Sequence, residues 1–189
     1  MASERVGENP AAVPCLEVRL HASIIVAPVH MKPTDDINSL RRILKESRVL
    51  AIVGLSAQWH RPSYFAAKYM LEHGYRVIPV NPQYKEVLGQ KCYASLRDIP
   101  EKVDLVDVFR KTADVMPVAE DAIAIGARVL WQQLGVKNAE AAAKACAAGL
   151  EAVMDRCVKI EHGRLFGGLN WVGVNTRVIS AKRPRWLAY

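Results

Sequence analysis

Short apolar stretches alternate with amphipathic segments over the middle of the chain. A helix is predicted after Thr34 or Asp35, either of which can cap it, because apolar residues then recur at helical spacing as far as Leu44. The pattern predicts strands over 48–54, 75–80, 103–109, 128–131 and 151–155. It predicts further helices over 63–73, 114–126 and 138–148, with Asn138 as the cap of the last.

The predicted strands have the composition of a parallel sheet. The run R-V-L-A-I-V-G over 48–54 is almost entirely apolar, as in a strand buried on both faces. Strands that alternate with helices at this spacing indicate right-handed crossovers. We therefore expect an α/β, Rossmann-like open parallel sheet of about five strands with helices on both faces.

The pattern is weaker at both ends. We expect an N-terminal extension over 1–34, the Rossmann-like domain over 35–165, and a C-terminal extension over 166–189. Beyond Cys157 the glycines at 163, 167, 168 and 173 predict a loop that includes Phe166 and Trp171, and an extra hairpin or an interface segment both stay open there.

Composition supports a globular protein. The chain has 189 residues, of which 51% are hydrophobic and 24% are charged, so it suits one domain with a substantial core. No apolar stretch reaches the ~18 residues of a membrane span, and the first residues lack the features of a secretory signal. We therefore expect a cytoplasmic protein. We also expect its cysteines to be reduced, since no two of the four have C-x-x-C spacing.

The net charge of +7 is concentrated near the C-terminus, where residues 176–189 contain four basic residues and no acid. Such a tail can bind nucleic acid or an acidic partner, or be a solvated terminus. We favour the solvated terminus and do not expect nucleic-acid binding. A homo-oligomer or a protein partner stays possible.

The first strand-to-helix turn carries the candidate chemistry. Gly54 permits a sharp bend, Ser56 and Ser63 supply hydroxyls, and Pro62 begins the next helix. Arg61 adds a guanidinium suited to phosphate. Ligands of open parallel sheets bind at this edge, so the turn predicts a pyrophosphate site at the helix N-terminus. The alternative is an ordinary loop with Ser63 as a helix cap.

This turn differs from the usual dinucleotide-binding motif. Ser56 stands where G-x-G-x-x-G requires its second glycine. The second strand is followed by Asn81 and then Lys85, where an NAD-binding protein usually has an acid for the ribose diol. A neutral or basic environment tolerates a phosphorylated ribose, so coenzyme A (CoA) or NADP fits better than NAD.

Two further strand ends face the same edge. Phe109 can lie against an adenine, and Arg110 or Lys111 against phosphate; the alternative is a buried aromatic with surface charges. After the fourth strand, Trp131 can form a wall for the pantetheine arm, with the neighbouring amides bonding to it. A core tryptophan explains the same residue equally well.

The order of motifs resembles a known family. They are A-I-V-G-L-S from 51, R-P-S-Y from 61, G-Y-R-V-I-P-V-N-P from 74, V-D-L-V-D-V-F-R from 103, W-Q-Q-L-G from 131 and D-R-C from 155. Together they make residues from about 35 to 165 similar to the stand-alone CoA-binding proteins of the YccU-like family. These are similar in turn to the CoA-binding domain of the succinyl-CoA synthetase alpha subunit.

The resemblance implies a CoA site at the strand ends. It assigns the site to the loop after the first strand and to the ends of the second and fourth strands. The implied residues are Ser56, Ala57, Gln58, Asn81, Lys85, Trp131, Gln132 and Gln133. Arg61 and Ser63 match the stand-alone proteins rather than the synthetase.

Catalysis has less support than binding. The candidate groups are His60, His73, Asp155, Cys157 and His162, and they form no Ser-His-Asp order, carboxylate pair or metal-ligand spacing. We expect a CoA or acyl-CoA binding protein that acts as a carrier, sensor or partner subunit without turnover. The alternative is an NADP-type or acyl-CoA-processing enzyme with Cys157 or His162 at the thiol end.

Overall fold

The computed structural model describes residues 33–167. The helices are α1 (Ile37–Glu46), α2 (Pro62–Glu72), α3 (Val115–Ala124), α4 (Ala139–Ala147) and α5 (Val158–Phe166). The strands are β1 (Val49–Val53), β2 (Arg76–Val80), β3 (Glu86–Val87), β4 (Gln90–Lys91), β5 (Leu105–Val108), β6 (Val129–Gln132) and β7 (Glu151–Val153).

Five strands form one parallel sheet in the order β2-β1-β5-β6-β7. The chain runs outward from β1 to β2 and then crosses back to β5 on the other side of β1. The strand order therefore reverses between β1 and β5, which is where open α/β sheets bind ligands. This sheet confirms the predicted Rossmann-like α/β fold.

The sheet is buried on both faces. Ile52 and Trp131 belong to the core beneath α1, α2 and α5. Ala51 and Val106 belong to the core beneath α3 and α4. The strands β1, β2, β5 and β6 each contribute apolar side chains to both cores, which explains the continuous apolar runs in the sequence.

The cap of α1 differs from the prediction. The side chain of Asp36 accepts a hydrogen bond from the Ser39 amide at 2.9 Å, whereas Thr34 or Asp35 was predicted. Thr34 lies two residues before Asp36, and its amide donates to the carbonyl oxygen of Ala152 at 2.7 Å. It therefore ties the entry of α1 to β7.

The prediction of a loop after Cys157 is wrong for its first part, because residues Val158–Phe166 form α5. The helix is held by packing rather than by a strong amphipathic pattern. Glu161 is fully buried and accepts hydrogen bonds from Arg156 at 3.0 Å and from Arg164. Gly163 lies inside the helix, where a Cβ would be 3.4 Å from the Tyr69 hydroxyl of α2, which is an ordinary van der Waals contact.

The short strands β3 and β4 form an antiparallel pair after β2, a feature the sequence did not indicate. No helix within residues 33–167 is long and apolar enough to cross a bilayer. The N-terminal extension over 1–34 lies almost wholly outside the described residues, as does all but the beginning of the extension over 166–189, including its basic tail.

Candidate functional site

The turn after β1 is held tightly against the end of β5. The Gly54 amide donates to the carbonyl oxygen of Val80, and the Phe109 amide donates to that of Val53, both at 2.9 Å. Gly54 has a φ of +84°, and a Cβ there would lie only 2.4 Å from the carbonyl oxygen of Phe109. This position therefore requires glycine both for its conformation and for the close approach of the two chain segments.

A cleft opens beside this turn, at the carboxyl ends of β1, β2 and β5. We call it the glycine-turn cleft; its volume is about 320 Å³. Its lining residues are Gly54, Ser56, Gln58, Arg61, Pro62, Ser63, Asn81, Gln83, Tyr84 and Phe109. The lining contains one cation and no carboxylate, so its electrostatic character favours an anion.

The two serines of the cleft organise the turn itself. Ser63 Oγ accepts a hydrogen bond from the Ser56 amide at 3.2 Å, and Ser56 Oγ accepts one from the Gln58 amide at 3.1 Å. These two amides are therefore engaged within the protein and are not free to donate to the predicted pyrophosphate. Each hydroxyl keeps its own proton to donate, because a hydroxyl both donates and accepts.

The N-terminus of α2 supplies further donors. Pro62 is the first helical residue, and no group within residues 33–167 accepts from the Ser63 amide. Arg61 precedes the helix, and its Nε donates to Gln58 Oε1 at 3.1 Å. The guanidinium is otherwise exposed beside the positive end of the helix dipole, an arrangement that suits a phosphate.

Asn81 lies at the floor of the cleft at the end of β2. Its Nδ2 donates to the carbonyl oxygen of Leu55 at 2.9 Å, and its Oδ1 accepts from the Gln83 amide at 3.0 Å. The residue therefore ties two loops together. Lys85 and Ala57 are exposed and do not line the cleft.

Trp131 and Gln132 line neither the glycine-turn cleft nor the other pockets at this edge of the sheet. Trp131 is fully buried, and its indole N–H donates to the carbonyl oxygen of Arg156 at 2.6 Å, which corrects the prediction that it walls a ligand channel. Gln132 is also fully buried and bonds to the backbone of Asn138 through both ends of its amide. Its side chain holds the start of α4 instead of contacting a ligand.

Gln133 is the residue of this segment that reaches the edge of the sheet. It lines what we call the β5–β6 pocket, with a volume of about 460 Å³. The pocket is lined by Pro62, Phe109, Arg110, Gln133, Leu134, Val136, Cys157 and Ile160. Pro62 and Phe109 also line the glycine-turn cleft, so the cleft and the pocket adjoin.

A buried acid lies behind this pocket. Asp107 is fully buried on β5 and accepts hydrogen bonds from Gln133 Nε2 at 2.7 and 2.9 Å. Burial raises the pKa of Asp107 to about 8 against the opposing effect of the Gln133 bond. Sequence reasoning missed this residue, although an acid inside the apolar motif V-D-L-V-D-V was a visible signal.

Arg110 does not line the glycine-turn cleft. It lines the β5–β6 pocket and a third pocket of about 400 Å³ between the end of β1 and α3. Gly54 lines both this third pocket and the glycine-turn cleft, so the two adjoin at the turn. Arg110 therefore lies beside the turn but lines different pockets from Arg61.

The candidate catalytic groups do not form one cluster: the rings of His73 and His162 lie with centroids 5.1 Å apart, whereas Asp155 is paired with Lys137. Asp155 forms an ion pair with Lys137 at 2.7 Å and accepts from the Gly135 amide, and these bonds lower the pKa of Asp155. His162 is buried against Tyr69, and burial lowers the pKa of His162. Cys157 alone of this set lines one of the pockets described. Within residues 33–167, no three His, Cys, Asp or Glu side chains form a metal-binding group.

Comparisons with known proteins identify the family of the chain. The model of a family described as "CoA binding domain" matches residues 48–163, which include all five strands of the main sheet. The chain belongs to the CoA binding domain family.

Relatives of this family member include an uncharacterized protein, YneT of Bacillus subtilis. It is 39% identical over 123 residues, which cover 65% of this chain and 91% of that protein. A hypothetical protein from Pyrococcus horikoshii has a solved structure with 46% identity and a TM-score of 0.69, covering 72% of this chain and 97% of that one.

A larger relative is the ADP-forming acetate–CoA ligase I of Archaeoglobus fulgidus. It is 31% identical over 102 residues, which represent 49% of this chain and only 14% of the ligase. The CoA binding domain described here is therefore similar to a small part of that enzyme.

Proposed function

We propose that the protein binds coenzyme A or an acyl-CoA at the carboxyl edge of its sheet, with the diphosphate in the glycine-turn cleft. It acts as a carrier, a sensor or a partner subunit and does not itself catalyse a reaction. Membership of the CoA binding domain family supports the ligand class. The location at the strand-order reversal supports the site.

One observation carries the assignment of the diphosphate. At the N-terminus of α2, the glycine-turn cleft combines two serine hydroxyls and the Arg61 guanidinium with no carboxylate. A diphosphate needs several hydrogen-bond donors and a compensating charge. The hydroxyl protons of Ser56 and Ser63, the Ser63 amide and Arg61 supply both.

The nucleotide end is assigned to the side of the cleft near β2. Asn81 and Tyr84 line this side, and Lys85 follows on the exposed loop. A neutral floor with a nearby cation tolerates the 3′-phosphate of CoA, whereas an acid in this position would repel it. Phe109, half-buried at the junction of the cleft and the β5–β6 pocket, offers an aromatic face to the adenine or the arm.

The absence of turnover is part of the proposal. Asp155 forms an ion pair with Lys137, and His162 is hydrogen-bonded to Tyr69, so both are engaged with other partners and neither is proposed as an activating base for Cys157. The ligase of Archaeoglobus fulgidus is much longer than this chain, and the match covers only 14% of it.

Isothermal titration calorimetry with CoA, dephospho-CoA, NADP and NAD tests the proposal. We expect CoA to bind most tightly and dephospho-CoA to bind more weakly, because it lacks the 3′-phosphate. NAD should bind weakly or not at all. NADP binding without CoA binding would contradict the proposal and would favour a dinucleotide-dependent protein, since Asn81 also tolerates a 2′-phosphate.

A further inference from the structure

Cys157 occupies an unusual position among the described cysteines. It is the N-cap of α5, it is partly exposed, and it lines the β5–β6 pocket. Cys92 and Cys146 are buried and line none of the three pockets. Cys157 lies at the positive end of the helix dipole of α5, although its side chain makes no capping hydrogen bond.

A second observation indicates that this pocket holds a ligand. Gln133 is only 3% exposed and lines the same pocket. Its Nε2 is directed at both oxygens of Asp107, so this carboxyl group fixes the orientation of the amide. No side chain or backbone group within residues 33–167 donates to Gln133 Oε1, so this oxygen is an acceptor without a partner among the described residues, on a side chain that lines an otherwise mainly apolar pocket.

The pocket adjoins the glycine-turn cleft through Pro62 and Phe109. A ligand with its diphosphate in the cleft can therefore extend its arm past Phe109 into the pocket. The arm of CoA carries amide N–H groups, which suit Gln133 Oε1, and it ends in a thiol. Cys157 is the reactive group that such a thiol end would meet.

We propose that Cys157 captures the thiol end of CoA as a mixed disulfide by exchange with CoA disulfide. The Cys157 thiol loses its proton, and its sulfur attacks one sulfur of the ligand disulfide. A bond forms between Cys157 Sγ and that sulfur while the ligand S–S bond breaks. The second CoA leaves as a thiolate and takes up a proton, so no other oxidant is needed. This inference rests on the proposed function.

The environment makes the exchange selective. Burial raises the pKa of Cys157, and the nearby Asp107 adds to this effect, so the thiol is mainly protonated at neutral pH. Free disulfides in solution should therefore react slowly. A disulfide held by its nucleotide end reacts at a high effective concentration, which compensates for the small thiolate fraction.

Intact-protein mass spectrometry tests the exchange. The full chain is incubated with CoA disulfide or with glutathione disulfide, and the modified residue is identified by peptide mapping. We expect the CoA adduct to form at least about tenfold faster than the glutathione adduct, as an effective-concentration effect requires. Dithiothreitol should remove it, and excess 3′-phosphoadenosine diphosphate, which lacks the thiol arm, should suppress it.

Cys157→Ser is the matched variant. It should lose the adduct. Calorimetry of the native protein with 3′-phosphoadenosine diphosphate, which lacks the arm that enters the β5–β6 pocket, tests the glycine-turn cleft by itself and so separates this inference from the proposed function. An adduct that persists in Cys157→Ser, equal rates with both disulfides, or no adduct in a protein that binds CoA would overturn the inference. A protein that fails to bind CoA in any form would overturn the proposed function as well.

Discussion

The carbonyl oxygen of Phe109 occupies the space that a side chain on Gly54 would need, since a Cβ there would lie 2.4 Å away. This contact joins the end of β1 to the end of β5 at the point where the strand order reverses. The backbone of the turn and the aromatic residue between the cleft and the pocket are thus positioned together.

Gly54→Ala should strongly destabilise the fold, by about 2–4 kcal/mol, because it combines a left-handed backbone with a backbone clash. Chemical denaturation measures the loss. Gly74→Ala is the control: Gly74 also has a positive φ, of 83°, but nothing lies within 4 Å of its Cβ position. It should cost only about 1–2 kcal/mol. Equal losses would show that the contact with Phe109 is not tight.

Arg61→Ala should weaken CoA binding by about 1–3 kcal/mol, because a charged hydrogen bond to phosphate is lost. The CoA affinity of Arg61→Lys should lie between those of Arg61→Ala and the native protein, since lysine keeps the charge without the guanidinium geometry. Calorimetry provides the affinities. Lys68→Ala, which removes an exposed cation from the same helix, should leave them unchanged. An unaltered affinity in Arg61→Ala would remove this residue from the site.

Ser63→Ala should reduce both stability and CoA affinity, because the Ser56 amide loses its acceptor and the cleft loses a donor. The expected loss of stability is about 1 kcal/mol. Ser95→Ala is the matched control, since Ser95 also accepts from a backbone amide but lies outside the cleft. It should affect stability alone. Ser56→Ala should weaken binding less than Arg61→Ala does.

Asp107→Asn should become increasingly stabilising, relative to the native protein, as pH rises. The folded pKa of Asp107, about 8, is above its ordinary value of 3.8, so the folded state binds the proton more tightly. The native protein therefore loses free energy of unfolding as pH rises between these two values, whereas the amide of the variant does not titrate. Denaturation midpoints measured across this range check the trend.

Glu101→Gln provides a comparison of opposite sign. The hydrogen bond from Arg76 lowers the pKa of Glu101. The contribution of Glu101 to the free energy of unfolding is therefore present above its ordinary pKa of 4.5 and is lost as pH falls. This variant should be destabilised at neutral pH and should approach the native protein in acid. Parallel pH profiles for the two variants would contradict the assigned directions.

Much of the architecture could be predicted from local pattern. The apolar run over 48–54 contains β1, and Asn138 caps α4 as expected. Gly54 was recognised as the turn because glycine is the residue that tolerates its backbone conformation. These features depend on residues close together in sequence.

The orientation of side chains at the strand ends could not be predicted in the same way. Trp131 and Gln133 lie two residues apart at the end of β6, yet Trp131 enters the core and Gln133 lines the pocket. A parallel strand buried on both faces gives no polar alternation from which to read the direction of a side chain. The sequence-based assignment of Trp131 to a ligand channel was wrong for this reason.

The sequence by itself determined the parallel sheet, the glycine turn and the family, because these follow from hydrophobic periodicity, backbone conformation and ordered motifs. Tertiary structure alone decided that α5 forms around buried Glu161, that Ser63 holds the Ser56 amide, and that Cys157 and Gln133 share a pocket. Each of these depends on groups brought together from different elements, and their contact energies exist only once the sheet and helices have packed.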